Sequence, residues 1–348
     1  MKKLIALVLS LLAVSSLVAG CSSGKGTTVN SGEKSVTFSL LSSPASLDPA
    51  TTTDGHSLMV ETQLFSMLVE SKGGTSNEIK PDIAESWEIS EDGLTYTFKL
   101  RDDVYFHNGK LLTADDVVYT FNRVMTEPYT SYYAAPIKSV EATDEHTFVA
   151  HLNYPFADFL TLVGGIYFGI CCEEAITAGS DFMYKPVGTG PYKLEGGYIP
   201  GQAFKFVYND QYYGAEPDIK EINFKIQPDT NTAVISLQNG EVDFIPALTV
   251  NDIGTIENDE NLALYQAPSY TIHYVCFNKN NAPWNIKEVR QAINYAINKQ
   301  DLLDGALNGI GTIANAPLNS LHLGYNDSIP FNEYDLDLSL IHISEPTR

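Results

Sequence analysis

Alternation of apolar and polar positions dominates the first half of the chain. Residues 94–100 alternate strictly, which is the period of a half-buried strand, and turn-forming residues at 91–93 connect them to an earlier strand around 87–89. The same two-residue period recurs at 148–152 and at 222–226. The pattern therefore predicts one hairpin and two further strands.

Three segments instead carry the helical spacing of apolar positions. One begins after Thr113, where Asp116 three residues later completes a capping box. A second begins near Asn285, and a third spans 229–239 and ends before Gly240, a residue suited to the position after a helix. We interpret the apolar sides of all three as core, and we expect the apolar side of the Asn285 helix to need a sheet that this chain largely lacks. Strands and helices without strict alternation favour α/β or α+β lobes.

The first residues have the order of charge, apolar core and small residues that marks a secretory signal. Two lysines precede an apolar run at 4–18, which is too short for a comfortable membrane span. The run ends in Val-Ala-Gly-Cys at 18–21, which resembles a bacterial lipobox with Cys21 as the lipidated residue. Residues 22–32 then read as a flexible tether. The alternative is a plain signal peptide with an incidental cysteine.

Composition limits the classes of partner. The 348 residues carry 43 acidic and 21 basic side chains, a net charge of −22, which argues against binding nucleic acid or anionic lipid. With 20 Tyr and 16 Phe, the chain can bury a large core, and its length allows about two domains. After the N-terminal segment, no apolar stretch reaches the ~20 residues that a membrane span needs.

No motif predicts catalysis, a cofactor or a metal site. The chain lacks HExxH, GxSxG, P-loop and dinucleotide-binding patterns, and His107 and His151 are interpreted as surface or core residues. Its other cysteines are Cys171, Cys172 and Cys276, without zinc-binding spacing. One of the adjacent pair could bridge to Cys276, or all could be free thiols.

Eight segments, taken in order, carry a family resemblance. The longest spans 81–124 and reads PDIAESWEISEDGLTYTFKLRDDVYFHNGKLLTADDVVYTFNRV. The others are SLDP at 46–49, LFSML at 64–68 (expected on a helix), PF at 155–156, GTGPY at 188–192, NDQYY at 209–213, NGEVD at 239–243 and NKNNAPWNIKEVRQAI at 278–293. Together they resemble the bacterial extracellular solute-binding proteins of family 5, which include the oligopeptide- and dipeptide-binding proteins of ABC importers. The likeness runs from about Ser35 to Leu318.

This resemblance implies an α/β fold of the two-lobed periplasmic-binding-protein type (class II, cluster C-like) with an extra subdomain. A strand at 269–278 would carry the chain across the hinge. The expected divisions are a signal peptide at 1–20, a lipidated tether at 21–34, lobe I at 35–58 and 186–267, its extra subdomain at 59–185, the start of lobe II at 268–337 and a non-native tail at 338–348.

The resemblance also implies a mechanism and a set of partners. A peptide would bind between the lobes as an added strand, the lobes would close, and the closed form would dock on permease subunits in the membrane. The protein would be a monomer outside the cytoplasm, held to the cell membrane by lipid on the cell surface or in the periplasm. It would not be an enzyme.

Eleven positions are expected to line the cleft, although each could instead be a core aromatic or a turn residue. They are Thr53, Asp54, Gly55 and His56 in the loop after SLDP, Tyr132 and Tyr133 in the extra subdomain, Pro246 and Ala247 after Asp243, and Tyr270, His273 and Tyr274 on the crossover strand.

The chain departs from the family pattern at its C-terminal end. Family members are longer, so we expect an incomplete second lobe that lacks the carboxylate gripping the ligand's amino terminus. Residues 338–348 (LSLIHISEPTR) resemble a translated sequencing adaptor, and the alternative is a genuine tail. Nickel, oligosaccharide or haem binding, or a role as a peptide-pheromone receptor, remain alternatives within the family.

Overall fold

The computed structural model describes residues 34–71, 78–179, 181–322, 324–331 and 333–344. The strands are β1 Lys34–Leu40, β2 Val69–Ser71, β3 Ile79–Pro81, β4 Ala84–Ile89, β5 Thr95–Leu100, β6 Ile137–Asp144, β7 Thr147–Leu152, β8 Tyr192–Leu194, β9 Phe204–Tyr208 and β10 Ile219–Ile226. The helices are α1 Gly55–Glu61, α2 Ala114–Thr126, α3 Phe159–Val163, α4 Glu173–Thr177, α5 Thr230–Gln238, α6 Ile253–Glu257, α7 Lys287–Ala296, α8 Lys299–Leu307 and α9 Leu336–Ser344, with a 3₁₀ turn at Ile166–Phe168. The predicted Cys21 anchor lies outside the described residues.

The first sheet joins the start of the described chain to a stretch far along it. Its strand order is β1-β10-β9-β8. Phe224 lies opposite Phe204 in the antiparallel β10–β9 pair, and their rings stack with centroids 4.6 Å apart. Phe206 and Leu40 are fully buried beside them. Aromatic contacts within this sheet therefore build one of two hydrophobic cores.

A second sheet has the order β4-β5-β7-β6, all antiparallel. Phe98 lies opposite both Trp87 and Phe148, and Phe121 from α2 packs on Phe148 with ring centroids 4.7 Å apart. Gly93 has a φ of 68° in the β4–β5 turn, a conformation that favours glycine. The hairpin and strands predicted from alternation are confirmed.

Two of the predicted helix boundaries are confirmed by their caps. The Asp116 carboxylate accepts the Thr113 N–H at 3.2 Å and the Lys110 ammonium at 2.6 Å, so its buried charge is paired. Asp229 caps α5 through the Thr232 N–H at 2.8 Å, and Gly240 follows that helix with a φ of 72°.

The prediction of a helix over 64–68 is wrong, because α1 ends at Glu61. The Leu64 carbonyl, which a continuing helix would need, instead accepts the Gly190 N–H at 2.9 Å. The Gln63 carbonyl accepts the Tyr192 N–H at 3.1 Å. A long-range backbone contact with the GTGPY segment therefore replaces helical hydrogen bonds.

The predicted crossover strand at 269–278 is also wrong. The stretch has no strand assignment, and Val275 is 65% exposed. No strand of the described residues pairs with this stretch, so its backbone takes part in no ladder. The Asn285 helix is α7, and among the described residues it packs on α9, where the Asp335 N–H donates to the Tyr295 carbonyl at 2.9 Å.

Cys171 and Cys172 are buried free thiols, and Cys276 is an exposed one, so the disulfide alternative is not what the structure contains. Across the described ranges, none of the helices is both long enough and apolar enough to cross a membrane.

Candidate functional site

The loop that follows β1 is fixed by its own hydrogen bonds. Asp48 Oδ1 accepts the Ala50 N–H at 3.2 Å, and Ser46 Oγ accepts the Asp48 N–H at 3.0 Å. Both side chains are buried. Asx and Ser bonds of this kind hold a turn without regular secondary structure. The SLDP segment is therefore a scaffold for the exposed positions that come after it.

Arg123, near the end of α2, anchors the loop after β1 to the helix that packs on the second sheet. Its guanidinium donates to both Asp48 oxygens, at 3.1 and 2.7 Å. Burial lowers the pKa of Arg123, but the bond to Asp48 and its charge outweigh burial and raise that pKa overall. Thr130 adds a hydroxyl bond to the Ala50 carbonyl at 3.0 Å. Sequence reasoning missed Arg123, because no local pattern links it to Asp48.

The four predicted loop residues sit at the start of α1. Asp54 caps that helix by accepting the Ser57 N–H at 3.0 Å. Burial raises the pKa of Asp54, but the bonds from Ser57 outweigh it and hold the pKa below its ordinary value. Thr53 and Gly55 are exposed, whereas Asp54 and His56 are half-buried. Thr53 and Gly55 are thus the open positions of this loop, while the Asp54 carboxylate is engaged by Ser57.

Pro246 and Ala247 emerge at the same end of the first sheet. Phe244 forms a parallel bridge with Phe38 of β1, and the Ser39 N–H donates to the Phe244 carbonyl at 2.9 Å. Because parallel chains end on the same side, Pro246 and Ala247 follow at the carboxyl end of β1, where the loop containing residues 53–56 also starts.

Thr130 hydrogen-bonds to the Ala50 carbonyl in the loop after β1. Tyr132 and Tyr133 follow Thr130 by two and three residues, so they lie near that loop. Their ring centroids lie 4.0 Å apart, and Tyr133 stacks on Tyr167 at 4.3 Å. Tyr132 is the outer ring of this row and is 67% exposed. It presents an open aromatic face.

Tyr270, His273 and Tyr274 are placed differently. The Tyr270 ring meets His322 edge-on with centroids 4.9 Å apart, and Asn319 donates to the Ser269 carbonyl at 2.8 Å. His273 is exposed and Tyr274 is 79% exposed. Among the described residues, no hydrogen bond or ring contact joins His273 or Tyr274 to the loop at 53–56. Eight of the eleven predicted positions therefore lie in the loop after β1, shortly after the Phe244 bridge to β1, or shortly after Thr130, which hydrogen-bonds to that loop.

Two recesses of the surface are lined by none of these eleven residues. A shallow, open depression of about 770 Å³ lies at α5 and α6, lined by residues such as Gln238, Asn251 and Asn258. A groove of about 210 Å³ lies between His107 and Lys193. Within the described part of the chain, no cluster of three or more His, Cys, Asp or Glu residues could hold a metal.

The profile of the bacterial extracellular solute-binding proteins, family 5 (middle), matches residues 78–340. The Heme-binding protein A of Haemophilus influenzae is 34% identical over 84% of this chain and 58% of its own length. The Dipeptide-binding protein of Escherichia coli is 31% identical over 87% of this chain and 61% of its own length. The chain thus spans about 60% of the length of these relatives.

The fold also matches solved structures. The ABC transporter-associated periplasmic binding protein DppA of Helicobacter pylori, in complex with the peptide STSA, superposes with a TM-score of 0.82 at 30% identity. The match covers 89% of this chain and 65% of that protein. It confirms the predicted periplasmic-binding-protein fold class, with its mixed α/β content.

Proposed function

The chain belongs to the bacterial extracellular solute-binding proteins of family 5, and we propose that it serves an ABC importer by capturing peptides outside the cytoplasm and delivering them to the permease. The observation that carries the proposal is a loop with exposed positions at Thr53 and Gly55. That loop follows β1, the strand whose Phe38 forms a parallel bridge with Phe244, two residues before Pro246. Relatives whose names include dipeptide binding, and the peptide complex of DppA, support a peptide ligand.

In this proposal the ligand is recognised mainly through its backbone. An extended peptide satisfies its N–H and C=O groups by pairing with exposed main chain, which leaves side-chain selectivity permissive. The open face of Tyr132 adds apolar contact from the adjacent subdomain. A ligand favours lobe closure only by touching both lobes, because its differential affinity for the closed form drives the shift.

We also propose the domain division given by the family resemblance. Lobe I comprises 35–58 and 186–267, the extra subdomain comprises 59–185, and lobe II begins near 268. Two features support it. The first sheet combines β1 with β8, β9 and β10, whereas all four strands of the second sheet lie within 59–185.

The membrane attachment is proposed from the lipobox-like residues 18–21. Lipidation of Cys21 would hold the protein on the outer face of a membrane, and multiple acyl chains anchor durably. The Cys21→Ala variant is expected to leave the membrane fraction and to lose metabolic lipid label, while Cys276→Ala keeps both. Membrane-bound, lipid-labelled Cys21→Ala protein would contradict the anchor.

Ligand class is tested by thermal shift with matched ligands. We expect di- to oligopeptides to raise the melting temperature in a saturable manner, because a ligand that binds only the folded state stabilises it. N-acetylated, amidated peptides serve as the control for the ligand's charged ends. Haem is the second candidate, supported by the 34% identical relative named Heme-binding protein A. Stabilisation by haem and by none of the peptides would overturn the peptide assignment in its favour.

A further inference from the structure

Glu61, the last residue of α1, is a buried acid beneath the loop that carries Thr53 and Gly55. Its side chain has no solvent exposure. Glu61 Oε1 lies 2.6 Å from the hydroxyl of Thr52, and Glu61 Oε2 has no hydrogen-bond partner among the described residues. A carboxylate left with one neutral partner in the interior is strongly disfavoured.

The hydroxyl of Thr52 decides which form of Glu61 fits. Thr52 Oγ1 lies 3.0 Å from the Asp48 carbonyl as well as 2.6 Å from Glu61. A hydroxyl has one hydrogen to donate, so it cannot serve two acceptors at once. If Glu61 is protonated, its O–H donates to Thr52, and the Thr52 hydroxyl donates to the Asp48 carbonyl. If Glu61 is ionised, one of the two acceptors loses its bond.

The charged groups around Glu61 also favour its protonated form. Arg123, the basic side chain that α2 contributes, donates to both oxygens of Asp48. Asp54 is occupied by Ser57, and Cys171 is a buried thiol. Burial raises the pKa of Glu61 to about 8. The Thr52 bond opposes that rise, and the charges of Asp48 and Asp54 add to it.

We propose that Glu61 is a positioning residue of the ligand loop, which it holds in place through Thr52 only while its carboxyl group is protonated. The inference rests on the proposed function in one respect, that residues 53–56 bind the ligand. Ionisation of Glu61 breaks the chain from Glu61 through Thr52 to Asp48, so the loop opens. Peptide capture would then weaken in alkaline medium.

The sign of the pH dependence follows from the two states. In the closed loop Glu61 has a pKa of about 8, against an ordinary value of 4.5 when the open loop exposes it. The closed form is therefore fully favoured below pH 4.5, and its advantage is lost as the pH rises towards 8. Since one proton is released on opening, the opening constant rises up to about tenfold per pH unit between those values.

The test needs no ligand. Hydrogen exchange of the peptides covering 48–62 is followed by mass spectrometry from pH 5 to 9 and corrected for intrinsic exchange rates. We expect the opening constant of the wild type to rise about tenfold per pH unit up to pH 8. Glu61→Gln, whose amide can donate to Thr52 as the protonated acid does, should stay protected with a flat profile. Thr52→Val should lose protection at every pH.

A control and a spectroscopic signature complete the experiment. Asp92→Asn removes an exposed turn carboxylate and should follow the wild type. The infrared band of a protonated carboxylic acid at pH 7 should be present in the wild type and missing in Glu61→Gln. Parallel exchange profiles for wild type and Glu61→Gln, or no such band, would overturn the inference. Failure of every peptide to bind would overturn the proposed function instead and leave the exchange result intact.

Discussion

Arg123 and Asp48 are joined by two hydrogen bonds, at 3.1 and 2.7 Å, although they stand 75 positions apart. Their side chains are only 15% and 5% exposed. A bidentate pair in this setting fixes orientation as well as distance. The pair thereby ties the loop after β1 to α2, which packs on the second sheet.

Breaking that pair leaves a buried charge uncompensated. We expect Arg123→Met to lower the free energy of unfolding by about 3–5 kcal/mol, measured by urea denaturation followed by circular dichroism. The double variant Arg123→Met with Asp48→Asn should recover part of that loss, because neither charge remains.

Arg101 and Asp103 provide a matched control. They form the same two-bond geometry at 2.8 and 2.7 Å, but their side chains are 30% and 54% exposed. Arg101→Met should therefore lower stability by no more than about 1 kcal/mol. Equal losses from the buried and exposed pairs would show that burial does not decide the strength of this anchor.

The glycines of the GTGPY segment are required by close packing. A Cβ on Gly188 would lie 2.1 Å from the Leu64 carbonyl oxygen and 2.7 Å from a ring carbon of Phe65. We expect Gly188→Ala to destabilise the protein by roughly 1–3 kcal/mol or more. Gly254→Ala in α6, where a Cβ meets nothing within 4 Å, should stabilise by about 0.4–1 kcal/mol. Thermal denaturation of both variants checks the contrast, which an unaffected Gly188→Ala would contradict.

Because His107 is buried as a neutral ring, we expect the protein to lose stability in acid. Its Nδ1 accepts the Gly188 N–H at 3.3 Å and its Nε2–H donates to the Gly190 carbonyl at 3.2 Å, so the neutral ring fits and a second proton would face a donor. Burial lowers the pKa of His107 to about 4, Gly190 opposes this, and the Lys193 charge adds to it. Since this pKa lies below the ordinary 6.5, the unfolded chain binds more protons between the two values.

The contribution of neutral His107 to the free energy of unfolding is therefore complete above pH 6.5. It falls as the pH is lowered towards 4, by about 3 kcal/mol. His107→Asn keeps an acceptor for Gly188 but does not titrate. The difference in unfolding free energy between wild type and His107→Asn, measured by urea titration at pH 7.5, 6 and 4.5, should change in favour of the variant as the pH falls. A difference that is constant with pH would rule out burial of a neutral His107.

Local signals predicted much of the fold, and long-range contacts account for the failures. The capping box at Thr113 and the stop at Gly240 depend on neighbours within four residues, and both were predictable. The stretch at 64–68 looks helical, but Gly190 takes the Leu64 carbonyl from 126 positions away. Residues 269–278 look like a strand, yet alternation cannot supply a neighbouring strand.

The candidate site follows the same division. Family resemblance pointed to the loop at 53–56 and to Pro246 and Ala247, and the parallel bridge between Phe38 and Phe244 links the segment before Pro246 to the strand before that loop. The anchoring of that loop by Arg123 and the buried acid Glu61 could not be read from the sequence. Each depends on which segments meet in space. The contribution of a charged residue to stability is set by its burial, which the sequence does not show.

The most direct test of the account is a hydrogen-exchange footprint of bound peptide on the full chain. With a saturating tripeptide, we predict slower exchange in peptides covering 50–58 and 244–248, because the ligand takes backbone hydrogen bonds there. The depression lined by Asn251 and Asn258 should be unchanged. A tripeptide of D-residues is the control, and it should give little protection. Protection at that depression alone, or a footprint at 50–58 and 244–248 produced by haem and by no peptide, would contradict the account.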